Sequence, residues 1–156
     1  MNIDLNFSHP VKFIAWCIVN EGTRGNNKGV GPCYFTSLTE SSLYGNDGNY
    51  GSAHIYIGGL EREITLSMTH FTRFQYLNYN MTIPQLDRIG FYSFCLKPLS
   101  NEPSGTCNFS RIKDSFIKFK FANNNLDNLK NKTLHLFGIN YNVLLITDGM
   151  GMLRYS

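Results

Sequence analysis

Charge is scarce in this sequence. Asp, Glu, Lys and Arg make up 16% of the 156 residues, where about 25% is usual for a soluble domain. The 14 basic and 11 acidic side chains leave a formal net charge of only +3, and Lys and Arg gather nowhere into a cluster. A surface that holds nucleic acid by its phosphates needs such a cluster, so direct nucleic-acid binding is not expected. Long apolar runs are missing too. The longest, Val11–Val19, is interrupted by Lys12 and falls well short of the ~18 residues that cross a bilayer, so no membrane insertion is expected. The opening MNIDLNFSHP has no basic segment followed by an apolar one; no secretory signal is read, and a cytosolic origin is expected. Cysteine is sparse and scattered. Cys17, Cys33, Cys95 and Cys107 form no CxxC pair and have no His at zinc-ligand spacing, so they read as small structural thiols, Cys17 and Cys95 inside strand-like runs.

What fills the place of charge is neutral, turn-forming polarity: 18 Asn and 14 Gly. Such residues suit short strands joined by loops; an AT-rich coding bias toward Asn, Ile, Lys and Tyr is the alternative source of the same pattern. The apolar share of 42% is enough for a core, which argues against disorder, and the length suits about one domain.

Along the chain, VKFIAWCIV (11–19) is apolar on both alternating faces, the pattern of a strand covered on both sides, with Trp16 in the core. Residues 20–52 read as a long loop excursion with one short strand possible in 31–38. Ala53, Ile55 and Ile57 alternate with His54 and Tyr56 and stop at Gly58-Gly59, a strand with a tight exit. Helical spacing of Ile64, Met68 and Phe71 competes with Thr and aromatic content over 60–79, and a short helix is expected near 69–76. A strand over 91–97 is expected to end at Pro98. In 116–121, Ile117, Phe119 and Phe121 face one way and Lys118 and Lys120 the other. The Asn-rich 123–131 reads as a loop or a single helical turn. A single long strand is predicted for 133–146, with His135, Phe137, Ile139, Tyr141, Val143 and Leu145 on one face, His135 partly buried there, and a bulge or bend at Gly138. The tail DGMGMLRYS is read without a closing element. This rhythm, with no βαβ alternation and one or two short helices in loops, predicts an all-β antiparallel sandwich, with a jelly roll leading.

Nothing in this layout gathers chemistry. His9, His54, His70 and His135 form no HxH and stand near no carboxylate at a metal-binding spacing, so a cupin-like metal enzyme is disfavoured. There is no GxSxG, GxxxxGK[ST] or GxGxxG. Glu61 and Glu63 bracket Arg62 and read as a solvated face rather than a glycosidase pair. Sequons occur at Asn6, Asn80, Asn108 and Asn131; in so Asn-rich a chain they arise by chance, and glycans stay an open partner class there. No catalytic, cofactor-binding or metal-binding residue is assigned, and no cofactor.

One segment goes beyond composition. GFYSFCLKPLSNEPSGTCNFSRI (90–112) closely resembles the C-terminal jelly roll of the major capsid proteins of nucleocytoplasmic large DNA viruses. NFSHPVKFIAW (6–16) and GINYNVLLITDGMGMLRY (138–155) are similar to two further motifs of that family, in the same order. Departures are Leu145, where the family usually has Arg, Phe13-Ile14-Ala15 for Glu-Leu-Val, and Met152-Leu153-Arg154 for a Gly-Leu-Ala-like stretch. The resemblance implies a viral structural protein and no enzyme: double jelly rolls assembled as homotrimers, pseudo-hexagonal capsomers tiling an icosahedral shell with neighbouring capsomers and minor capsid proteins as partners. It places the protein in the virion, assembled in the host cell cytoplasm. It also implies that 1–156 is the C-terminal jelly-roll domain, lacking the N-terminal roll and the first strand of its own. Within 103–111, Pro103 to Gly105 is expected to make a turn, Thr106 and Asn108 to cap backbone groups, and Arg111 to pair across a subunit or loop boundary. The loops 20–52 and 77–89 are the candidates for lateral and outward contacts. A jelly-roll carbohydrate-binding module is the alternative, with Tyr44, Tyr50 and Trp16 as the aromatics it would need.

Overall fold

The computed structural model describes residues 2–20, 35–36, 51–84, 88–120 and 132–155. The strands among them are β1 (Asn2–Asp4), β2 (Pro10–Asn20), β3 (Phe35–Thr36), β4 (Ser52–Ile57), β5 (Leu60–Glu61), β6 (Leu66–Ser67), β7 (Ile89–Ser93), β8 (Cys107–Asn108), β9 (Phe116–Lys120), β10 (Lys132–Asn140), β11 (Leu144–Thr147) and β12 (Met150–Leu153). A π-helical turn, His70–Phe74, runs into the short helix α1 (Gln75–Asn78), and a 3-10 turn spans Phe109–Arg111. The pairings are antiparallel. One sheet has the order β1-β9-β4-β5, with β6 also on β4. The second is built on β2, which carries β10 along one edge and β8, β7 and β3 in turn along the other.

The sequence pattern explains why these segments pair as they do. Ile14, Trp16 and Ile18 of β2 point into the core and meet Ile55 and Ala53 of β4 and Ile117 and Phe119 of β9 from the facing sheet. Complete burial of a side chain such as Ile14, Ile55 or Ile117 contributes about 1.5–3 kcal/mol over leaving it in water. Lys118 and Lys120 are exposed, so β9 has one wet face as its alternation predicts. Trp16 ties the layers together: its indole lies 5.3 Å from Phe71 of the helical segment and 6.0 Å from Phe119 of the opposite sheet. That ring fits because its cross-strand partner is Gly90. A Cβ on Gly90 would stand 2.2 Å from the indole. Cys17 and Cys95 are buried free thiols and Cys107 is half-buried.

Five expectations need correction. The strand expected over 91–97 is β7 and stops at Ser93, because the Ser93 hydroxyl donates to the Cys95 carbonyl (2.9 Å) and accepts from the Cys95 N–H (3.2 Å), replacing the ladder by a local turn. The long strand of 133–146 is two strands. Its break falls at Asn142, whose Oδ1 accepts from the Val143 and Tyr155 N–H groups (2.8 and 3.1 Å). The tail is closed after all: Met150–Leu153 returns on β11 as a hairpin, turned by Asp148 and Gly149, both with positive φ (53° and 80°), the requirement of a type I′ turn. Gly138 makes no bulge itself, the register shift lying between Ile139 and Asn140. It is a glycine because a Cβ there would lie 2.9 Å from the Phe7 ring. On β10 the core takes the other face, Leu134 and Leu136, while Phe137 and Ile139 face outward and His135, stacked on Phe137, is half-buried. Most of the 20–52 excursion, Cys33, Tyr44, Tyr50, Phe121 and the loop 123–131 lie outside the described residues.

Candidate functional site

The 90–112 segment is a brace. After β7 the chain loops out and returns at β8, and its two arms are tied by the Leu96 N–H to the Ser104 carbonyl (3.3 Å) and the Lys97 N–H to Ser104 Oγ (2.9 Å). Gly105 turns the loop at φ +135°, where a Cβ would meet the Phe94 carbonyl at 3.1 Å. Asn108 caps the 3-10 turn by accepting from the Ser110 N–H (3.2 Å), as expected, and Ser110 Oγ accepts from the His9 N–H (2.8 Å), itself at φ +73°. Phe109 drives the turn into the core against Phe7 and Phe94. Thr106 and Arg111 are exposed.

Lys12, unremarked at the level of sequence, fastens the loop from beneath. It is 8% exposed, donates from Nζ to the Ser100 carbonyl (2.6 Å), and lies over the Tyr141 ring, 5.2 Å from its centre. Tyr141 in turn donates to the Glu102 carbonyl (3.3 Å). A buried ammonium needs such partners.

Glu61 and Glu63 are not a merely solvated pair. Glu61 takes Nδ1 of His54 (2.7 Å) while Nε2 of the same ring meets Thr65 Oγ1 (2.8 Å), tying β4 to the turn beyond β5. Glu63 accepts from the Tyr92 hydroxyl (3.0 Å). Burial pushes Tyr92 up to about 12, against the hydrogen bond from Arg62; that same bond raises the Arg62 guanidinium. Between these groups and the brace lies an open cleft of about 390 Å³, lined by Ile57, Leu60, Arg62, Phe94 and Cys107 among others. Burial holds the Cys107 thiol above its ordinary value, with Arg62 pulling the other way. Among the described residues no three His, Cys, Asp or Glu converge as metal ligands.

Exposed apolar surface is a further feature, on the brace loop and beyond it. Leu60, Ile64, Leu96 and Leu99 are bare, Phe137 and Ile139 stand on the outer face of β10, and the whole β11–β12 hairpin is exposed, Ile146 at 73%. Patches of this kind mark contact surfaces.

A family profile described as "Large eukaryotic DNA virus major capsid protein" matches residues 1–152. The chain belongs to this family. The major capsid protein of Paramecium bursaria Chlorella virus 1 is 32% identical over 99% of this chain, and that of Pyramimonas orientalis virus is 31% identical over 99%. The crystal structure of VP54 from the Chlorella virus, fitted into a reconstruction of the virophage Sputnik, superposes on the whole chain with a TM-score of 0.69 at 30% identity. The fold is thereby the capsid jelly roll. The chain spans 43% and 38% of the two capsid proteins and 46% of the VP54 chain. The capsid resemblance was legible in three motifs. The Lys12 clamp and the hairpin were not identified there, although Asp148-Gly149 between apolar runs is the short-range signal for such a hairpin.

Proposed function

We propose that this capsid protein acts as a structural shell subunit and not as an enzyme: its jelly roll packs with others as homotrimeric, pseudo-hexagonal capsomers of an icosahedral virion assembled in the host cytoplasm. Residues 1–156 are read as the C-terminal jelly-roll domain of such a subunit, the N-terminal roll and a first strand lying outside this sequence. Minor capsid proteins are its further partners. One observation carries the reading: the same stretch that matches the capsid family profile also superposes from end to end on VP54. The surface agrees with it, being low in charge and rich in bare apolar side chains, as expected of a subunit whose neighbours cover it.

Mass spectrometry of virus particles purified from the organism that carries this sequence tests the role, and native mass spectrometry of capsomers released from them tests the trimer. Abundant peptides of this chain and a trimeric mass are expected. Particles without those peptides would overturn the structural role; peptides in particles whose capsomers are not trimeric would overturn the assembly state alone.

A further inference from the structure

We propose that Thr65 is an activated hydroxyl, a modification site at which this chain takes one acyl group from an activated donor such as a thioester or an aryl ester. The site is separate from the shell role and goes beyond it. Three side chains carry it. The imidazole of His54, on β4, lies between the Glu61 carboxylate of β5 and the Thr65 hydroxyl just before β6, 2.7 Å from Glu61 Oε1 through Nδ1 and 2.8 Å from Thr65 Oγ1 through Nε2. An ionised carboxylate only accepts, so the Nδ1–H donates to Glu61 and the neutral ring keeps Nε2 as its acceptor. The Thr65 hydroxyl must then be the donor. Its proton is aimed at a base that a carboxylate orients from behind, the relation of nucleophile, base and orienting group that recurs on unrelated folds.

The fold holds these groups in place. His54 and Tyr56 take the outward positions of β4, where β5 returns Glu61 opposite Tyr56 and β6 sets Leu66 opposite Ala53. Carboxylate and hydroxyl thus reach one ring from two sides. The ring is stacked on Tyr56 at 6.2 Å and 18°, and Tyr56 on Phe116 at 4.5 Å, a column that restrains the imidazole. The His54 side chain is 15% exposed, whereas Thr65 is open to solvent; the base is sheltered and the nucleophile accessible. Lys118, opposite His54 in the ladder with β9, places positive charge on the same face, complementary to the oxyanion that forms during acyl transfer. Leu60 and Ile64, next in sequence to Glu61 and Thr65, are bare apolar side chains that an acyl chain can lie against.

The chemistry balances within these groups and the donor. Thr65 Oγ1 attacks the acyl carbon as its proton passes to Nε2 of His54. The threonine ester C–O bond forms, the bond from the acyl carbon to the thiolate or aryloxide breaks, and the leaving group takes the proton from Nε2. Glu61 steadies the imidazolium in between.

Incubation of the chain with p-nitrophenyl acetate, read by intact and peptide mass spectrometry, tests this. One acetyl group labile to alkaline hydroxylamine is expected on Thr65, formed at least about 100-fold faster than in His54→Gln, the contribution of a positioned base. Thr65→Val should lose that label, and Ser67→Ala, which removes an exposed hydroxyl two residues away, should keep it. Because His54→Gln can loosen β4, the unsubstituted chain supplies an independent reading: Thr65 should be acetylated far ahead of the exposed hydroxyls of Ser67, Thr106 and Ser110. Labelling of Thr65 no faster than theirs would overturn the proposal, as would an unchanged rate in a folded His54→Gln chain. Release of p-nitrophenolate well beyond one equivalent, lost in Thr65→Val, would make the site a turning-over esterase and overturn the single-group reading.

Discussion

At the scale of single residues, Gly90 and Trp16 are one packing unit. A methyl at Gly90 has no room beside the indole, which is itself held between Phe71 and Phe119. Overpacking of a tight core costs about 1–3 kcal/mol and at times more. Gly90→Ala should therefore lower stability by at least the upper part of that range in urea denaturation, and a change within error would show that the ring can move aside. Tyr76 and Tyr92 carry a second residue-scale consequence. Burial pushes both hydroxyls up to about 12, whereas the unfolded chain ionises its tyrosines near 10. The fold keeps these protons longer than the unfolded state does, so their stabilising effect is complete below about pH 10 and is lost as pH climbs toward 12. Stability followed by denaturant titration should drop across that window, and more gently in Tyr76→Phe. A flat profile there would contradict the burial of these rings.

At the scale of elements, the brace between β7 and β8 hangs on Lys12. Replacing it by Met keeps the apolar stem and removes the charged donor to Ser100, a bond worth about 1.5–3 kcal/mol. Lys12→Met should speed amide exchange in 97–105 while the β9 amides stay protected; uniform loosening would place Lys12 in the general core instead. The elements also show where reading from sequence succeeds. β2, β4, β9 and the helical segment were legible because alternation or helical spacing of apolar residues is a direct image of burial, as with Ile117 and Phe119 against Lys118 and Lys120. The failures have a common cause in side chains that capture backbone hydrogen bonds. Ser93 ends β7 early and Asn142 splits the long C-terminal run, and neither act leaves a mark on hydrophobic periodicity. The outward apolar face of β10 misled for another reason: Phe137 and Ile139 alternate as core residues do, although they face outward. Of the surface, the family motifs disclosed the brace, whereas Lys12 reads as an interruption in a strand until the Ser100 carbonyl and the Tyr141 ring are brought to its ammonium.

At the scale of the whole molecule, the two sheets close on a single aromatic hinge at Trp16, and the remaining apolar surface lies on the outside, on the β11–β12 hairpin, on β10 and around the cleft. Apolar surface so placed is in keeping with membership of a capsid protein family. The central place of β2 carries a further meaning. It is the only strand joining β10 to β8, β7 and β3 among the described residues, and its main partner is distant in sequence, with Val11 facing Asn140 and Val19 facing Thr133. The β2–β10 ladder, the longest in the sheet, cannot close until residues 132–140 have been made and have met residues 11–20, and such distant pairings are the slow ones. During synthesis one edge of β2 must therefore wait, adhesive and unpaired, for β10 to emerge, while β3, β7 and β8 can take the other. The hazard is greatest where many chains are being made side by side, as in a cell producing shells.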